Sequence, residues 1–275
     1  MNESFQAAMS YVILSRITNI KQLHLAEFDQ KKIYCSSVAK KEAERLRARA
    51  INLRKTDWDK KFSSCSVIKF SSVNARSLQQ HFKDLLKDNF IMKSDIIAIQ
   101  ETWLSSDPND SIPQFHKYYV HGGSKGIALL TKVRPIYVEN SITEHCSFIK
   151  ASFDKFDLIN VYRFSSDTEI KLFTESILPL LDQTKTQVIV GDMNIDLMKN
   201  PMNLFTKTLE QKGFQQIVDR PTHVRGGLID HVYFFSPKAD DSCTLYKYHT
   251  VFWSDRTCQS AILKISDLCP KMDQD

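Results

Sequence analysis

The sequence predicts a layered α/β or α+β domain over most of its length, and three observations carry that prediction. Short apolar runs, several of them rich in β-branched residues and bounded by Asp, Asn, Ser or Gly, recur after residue 65. Three segments with helical periodicity lie between some of these runs. Near the middle of the chain, apolar runs follow one another with only a turn between them, as in hairpins. Mixed strands and helices of this kind favour stacked layers over a helical bundle or a pure β-sandwich.

In chain order, residues 1–60 stand apart from the rest. They hold 12 Lys/Arg against 7 Asp/Glu and so carry the whole net charge of +5. Residues 38–55, VAKKEAERLRARAINLRK, have the composition of an exposed helix with apolar positions too sparse for a core-facing stripe. They are expected to connect this segment to a second domain over 61–275. There the strands are expected at 66–73, 95–100, 126–131, 148–153, 157–163, 186–192, 228–235 and 260–265. Helices are expected at 78–90, 166–184 and 203–213, the last closed by Gly213 as a C-cap.

Bulk properties narrow the function classes. No apolar run approaches the ~20 residues of a membrane span, and residues 1–14 lack the pattern of a signal peptide. The six cysteines are scattered without a CxxC pair, so neither a zinc ribbon nor a disulfide framework is expected. An intracellular chain with reduced thiols follows.

Acidic and amide residues stand at the ends of the expected strands: Asn74 in SSVNARSL, Glu101 in IIAIQETW, Asp192 and Asn194 in VIVGDMNID, and Asp230 in LIDHVY. Asp255 follows an aromatic run in FWSDRT. One such residue alone is most often a turn or cap. Together, carboxylates delivered from separate strand ends to one rim match the needs of phosphodiester hydrolysis: charge neutralisation, an activated water and a hard cation held by oxygen ligands.

These residues, with Gln100-Glu101-Thr102, Tyr162, Gly191-Asp192-Met193-Asn194, Ile229-Asp230-His231 and Ser254-Asp255, resemble in order the motifs of the endonuclease/exonuclease/phosphatase superfamily, which includes DNase I, abasic-site endonucleases and retrotransposon endonucleases. The resemblance covers roughly residues 65–266. It implies a four-layer, DNase I-like sandwich of two mixed β-sheets flanked by helices. It also implies a Mg²⁺ or Mn²⁺ cofactor, with Glu101 as principal ligand, Asn74 beside it, and Asp255 binding the metal or its surroundings. Asp192 is implied in proton transfer, Asn194 in orienting phosphate or nucleophile, and Tyr162 in phosphate contact. Asp230 would orient a catalytic His. Arg163, Thr222 and Trp253 complete the expected substrate-binding set.

The family pattern ends in Ser-Asp-His, whereas this chain has Ser254-Asp255-Arg256. A guanidinium neutralises phosphate charge and pairs with carboxylates, but it cannot exchange a proton near neutral pH. His231 is expected on the opposite strand face from Asp230. His223 and His249 are weaker candidates for the missing imidazole. Impaired activity is therefore expected, with an inactive DNA-binding module as one alternative and a lipid or inositol phosphatase as another.

Two features favour DNA as the partner. Arg220-Pro221-Thr222-His223 ahead of Leu228-Ile229-Asp230 resembles a segment of retroelement endonucleases, and NARSL followed by a helix and SDIIAIQETWL resembles the same proteins. Trp103 and Trp253 adjoin catalytic motifs, where they are either packing surfaces for a sugar or base or ordinary core and rim aromatics. Residues 1–55, including Arg16, resemble the C-terminal end of PIF-family DNA helicases. The chain has no GxxxxGK[ST] phosphate loop, so this segment is not a working helicase. The joint layout resembles Helitron-type transposon proteins, implying a helicase body in the parent protein and a nuclear location.

Overall fold

The computed structural model describes residues 67–108, 112, 114–164 and 169–266. The expected helicase-like segment 1–60 and the helix 38–55 lie outside the described residues, as does the start of the expected helix 166–184.

Two six-stranded sheets form the centre of the described domain. The strands are β1 (Val67–Asn74), β2 (Ile96–Gln100), β3 (His116–Val120), β4 (Ile127–Thr131), β5 (Tyr137–Ile142), β6 (Cys146–Ser152), β7 (Phe156–Arg163), β8 (Thr186–Asp192), β9 (Gln215–Gln216), β10 (Asp230–Phe235), β11 (Ser242–Thr250) and β12 (Thr257–Lys264). One sheet runs β11-β12-β1-β2-β4-β3 and the other β5-β6-β7-β8-β10-β9. Each has one parallel pair at its centre, β1 with β2 and β7 with β8, and antiparallel neighbours elsewhere. Both sheets thus use one topology, although the sequence carries no visible repeat.

The helices α1 (Leu78–Lys87), α2 (Ile170–Ile177) and α3 (Leu204–Gln211) complete the layers. Phe82 and Leu85 of α1 pack with Ile97 and Ile99 on one sheet's outer face. Phe173 of α2 and Phe205 of α3 pack with Ile159, Ile189 and Tyr233 on the outer face of the other. Between the sheets, Phe70, Ala98 and Leu129 meet Ile149, Leu158, Val190 and Val232. Strands β2, β7 and β8 are buried along their whole length, which is why they read as continuous apolar runs rather than alternating ones. A polar link crosses the inter-sheet core, where Gln100 Nε2 donates to Asn160 Oδ1 at 2.6 Å.

The helix ends differ from the sequence expectation for local reasons. Helix α1 stops at Lys87 because Asp88 Oδ1 accepts from the backbone N–H groups of Phe90 and Ile91, which starts a new turn. Helix α2 ends before Pro179, whose ring and missing N–H shift the next residues into a 3₁₀ turn. Four strands were absent from the sequence reading: β3, β5, β9 and β11. These are the two edges of each sheet.

Candidate active site

The parallel pairs place their C-terminal ends at one rim. In β1 and β2, Asn74 stands in register with Gln100, next to Glu101; in β7 and β8, Tyr162 stands in register with Asp192. Antiparallel β10 begins with Asp230 opposite Asp192, and β12 begins just after Asp255 and Arg256. Gly191 makes the approach of β8 to β7 feasible. Its φ is 140°, and a Cβ there would lie 1.8 Å from the Val161 carbonyl oxygen.

The sheets are bridged directly by the Asn74 amide, whose Nδ2 donates to Glu101 Oε1 at 2.7 Å and to Asp192 Oδ2 at 2.8 Å. The Tyr162 hydroxyl donates to Glu101 Oε1 at 3.2 Å. Burial, then the charges of Glu101 and Asp192, push the Tyr162 phenol far above its ordinary pKa, so it stays a donor. Glu101 itself has φ 52°, held by Ser77 N–H donating to its carbonyl at 2.9 Å. Asn194 has φ 48°, and its N–H donates to Asp192 Oδ1 at 3.0 Å. Left-handed backbone at non-glycine residues costs about 1–3 kcal/mol each and persists where surrounding contacts fix it.

Arg256 fills the other half. Its guanidinium donates to Asp192 Oδ2 at 3.2 Å and to Asp255 Oδ1 at 3.4 Å, and its Nε lies 3.8 Å from Asp230 Oδ2. That last pair is outside hydrogen-bonding range, and neither atom has another partner among the described residues. Burial first, then the charge of Asp192, raises the Asp230 carboxyl well above its ordinary pKa, against an opposing hydrogen bond from Thr222. The remaining Asp255 oxygen, Oδ2, accepts from Arg76 NH1 at 2.8 Å and faces His223 Nε2 at 3.4 Å. The loop is tied down where the Ser254 hydroxyl donates to the Asn74 carbonyl at 2.7 Å.

The structure brings Asn74, Glu101, Tyr162, Asp192, Asp230, Asp255 and Arg256 together, and it repositions the other expected roles. Asn74 turns its nitrogen to the carboxylates and its oxygen to Arg76 N–H, so it orients Glu101 and Asp192 rather than offering oxygen to a metal. Asp255 spends both oxygens on cations. The Asn194 amide donates to the Arg163 carbonyl at 2.6 Å. The three expected substrate contacts are all buried. Arg163 NH1 donates to the carbonyls of Met193 and Asn194; Thr222 Oγ1 accepts from Ile229 and Asp230 N–H; the Trp253 ring stacks on His81 of α1. Arg163 thereby holds the Met193–Asn194 turn, and Thr222 holds the start of β10 at Asp230.

The histidines separate clearly. His231 faces the outer layer, between the Ile195 carbonyl at 2.9 Å and the Tyr233 hydroxyl at 3.1 Å, and burial lowers its pKa to about 4. His249 pairs with Asp88 at 2.7 Å, away from the rim. His223 is at the rim, but its Nδ1 accepts from Arg225 N–H at 2.9 Å, which leaves Nε2 as the N–H bearing atom directed at Asp255. Its ring is thus held between the Arg225 N–H and the Asp255 carboxylate. Arg76 is an addition to the expected site residues; its place in NARSL, two residues after Asn74, is the available signal.

The donor set fits one divalent cation. Glu101 Oε1 takes both protein donors, and Oε2 has no protein partner among the described residues. Among the described residues, the guanidiniums bonded to or paired with the rim carboxylates Asp192, Asp230 and Asp255 are those of Arg76 and Arg256, and neither is paired with Glu101. Among the described residues no three His, Cys, Asp or Glu side chains form a metal cage. Mg²⁺ commonly needs only one or two carboxylates and keeps several waters.

Comparisons with known proteins show the family and the fold. Residues 71–255 match the model of the Endonuclease/Exonuclease/phosphatase family. The chain is 31% identical over 218 residues to Recombination repair protein 1 of Drosophila melanogaster, a match covering 69% of this chain and 31% of that protein. It thus spans about a third of that relative's length. Among solved structures, the 3′-5′ exonuclease NExo of Neisseria meningitidis superposes with a TM-score of 0.55 at 18% identity, covering 72% of this chain and all of that one. The endonuclease domain of TRAS1, a telomere-specific non-LTR retrotransposon, gives a TM-score of 0.55 at 14% identity over 72% of this chain and 98% of its own. The fold is shared, the matched residues 71–255 include Asn74, Glu101, Tyr162, Asp192, Asp230 and Asp255, and this chain belongs to the endonuclease/exonuclease/phosphatase family.

Proposed function

We propose that this chain is a DNA endonuclease that hydrolyses phosphodiester bonds with Mg²⁺ or Mn²⁺ held at Glu101, at a rate lowered by Arg256. The observation that carries this reading is the Asn74 amide bridging Glu101 and Asp192 at 2.7 and 2.8 Å, which joins the two sheet rims into one acidic centre. A bound divalent cation would neutralise phosphoryl oxygens and polarise the scissile bond. Asp192 would accept the proton of the attacking water, with Asn194 N–H and Asn74 fixing its carboxylate. Tyr162 would donate to a phosphate oxygen. Arg256 and Arg76 would add positive charge beside the phosphate. Arg256 cannot pass a proton to a leaving oxygen, so that step would fall to water, and a loss of orders of magnitude is expected.

DNA as substrate is supported by the name of the Drosophila relative and by the Arg220–His223 segment. The parent protein would be a Helitron-type helicase–endonuclease, with residues 1–60 as a helicase-derived end, 61–275 as the nuclease domain, and a nuclear location. No described helix is long and apolar enough to cross a membrane. A second reading, a DNA-binding module without turnover, draws on Arg256 pairing with the carboxylates it touches.

A plasmid-nicking assay separates these. The chain as written should nick slowly and only with divalent metal, Asp192→Ala should abolish nicking, and Arg256→His should raise the rate about 10²-fold. Nicking no faster than Asp192→Ala, with salt-sensitive DNA binding retained, would favour the binding module.

A further inference from the structure

Three exposed apolar side chains stand on the loops that carry the site: Trp103, two residues after Glu101 (45% exposed); Val224, between Thr222 and Asp230 (74%); and Phe252, three residues before Asp255 (86%). A single exposed apolar residue is ordinary. Phe252 differs in how it is held. Its neighbours Val251 and Trp253 are buried in the cluster under α1, and Ser254 is bonded to Asn74, so the ring is displayed from a turn pinned on both sides. The Trp103 loop is fixed to the same helix turn: Gln79 N–H donates to the Thr102 carbonyl at 3.2 Å, while His81 stacks on Trp253 at 5.8 Å. Two exposed aromatics thus flank the first turn of α1, one beside Glu101 and one beside Asp255. Arg76, half exposed and bonded to Asp255, lies on the same rim.

We propose that Phe252 and Trp103 are stacking platforms for unpaired nucleobases of the strand whose phosphate enters the site. The proposal rests on the nuclease reading and adds to it a preference for single-stranded or locally unpaired DNA. In a phosphodiester substrate the base is the part with a π face, and aromatic platforms beside a cationic backbone track bind it without reading sequence. A membrane would call for a contiguous apolar face on an amphipathic element; here the exposed aromatics stand singly on separate loops that also carry Glu101 and Asp255.

The test uses the full chain with Asp192→Asn to block cleavage. Its probes are fluorescent oligo-thymidylate and a base-free deoxyribose-phosphate strand of equal length. Binding to oligo-thymidylate should be about tenfold tighter; Phe252→Ala should remove most of that preference, and Phe252→Tyr should keep it. A preference that survives Phe252→Ala, or equal affinity of the parent for both strands, overturns the proposal alone. Failure to bind either strand removes the nuclease reading beneath it. Attachment to phosphatidylcholine vesicles that Phe252→Ala abolishes would assign the ring to a lipid surface and overturn the proposal as well.

Discussion

The two halves of the rim solve the same electrostatic problem in different ways. Around Glu101 the donors are neutral, an amide and a phenol, and they leave one carboxylate oxygen open. Around Arg256 the carboxylates of Asp192, Asp230 and Asp255 are balanced from within the chain by guanidinium groups. The first half is where the proposed cation would be held. The second already has one, covalently attached. An arginine at this position is a permanent ion-pair centre rather than a titratable group.

The largest stability effect that tests this contrast is Arg256→Met. It keeps most of the side-chain volume but leaves buried carboxylates facing one another, and removing one partner of a buried ion pair costs about 3–5 kcal/mol. Chemical denaturation without metal should show that loss, with partial recovery on adding Mg²⁺. Full stability of Arg256→Met without metal would mean the guanidinium is not balancing the site.

A comparable effect lies one residue beyond Asp230, on the opposite strand face. His231 has its pKa lowered from 6.5 to about 4 by burial. The folded state thus binds fewer protons than the unfolded state between these values. Stability is fully present above about pH 6.5 and declines as pH falls toward 4, by about 3 kcal/mol in total. His231→Gln should flatten this acid limb, whereas Arg256→Met should leave it in place. An unchanged limb in His231→Gln would place the acid sensitivity elsewhere.

The sequence was legible where burial is symmetric. Strands β2, β7 and β8 are covered on both faces and appear as apolar runs. The edge strands β3, β5, β9 and β11 did not stand out: β5, YVENSI, is exposed or half-buried throughout, and β11 is broken by a bulge between Leu245 and Lys247. The helix ends turned on side-chain contacts such as Asp88 with Phe90 and Ile91. At the site, residues in strand-end motifs were legible because strand ends converge in this topology. Residues whose role depends on direction were not. Trp253 and Phe252 are adjacent and both aromatic, yet one is buried on His81 and the other is exposed. Arg163 and Thr222 looked like substrate contacts, and the structure uses them to hold Asn194 and Asp230. Their spacing fixed their neighbourhood without fixing the face they present.

The central claim, one half open to a cation and the other closed by Arg256, is tested most directly by titrating the full chain with Mn²⁺ and following bound metal by electron paramagnetic resonance. One saturable site is expected, lost in Glu101→Gln and retained in Arg256→Met. No saturable binding, or binding that survives Glu101→Gln but disappears in Arg256→Met, would contradict the account.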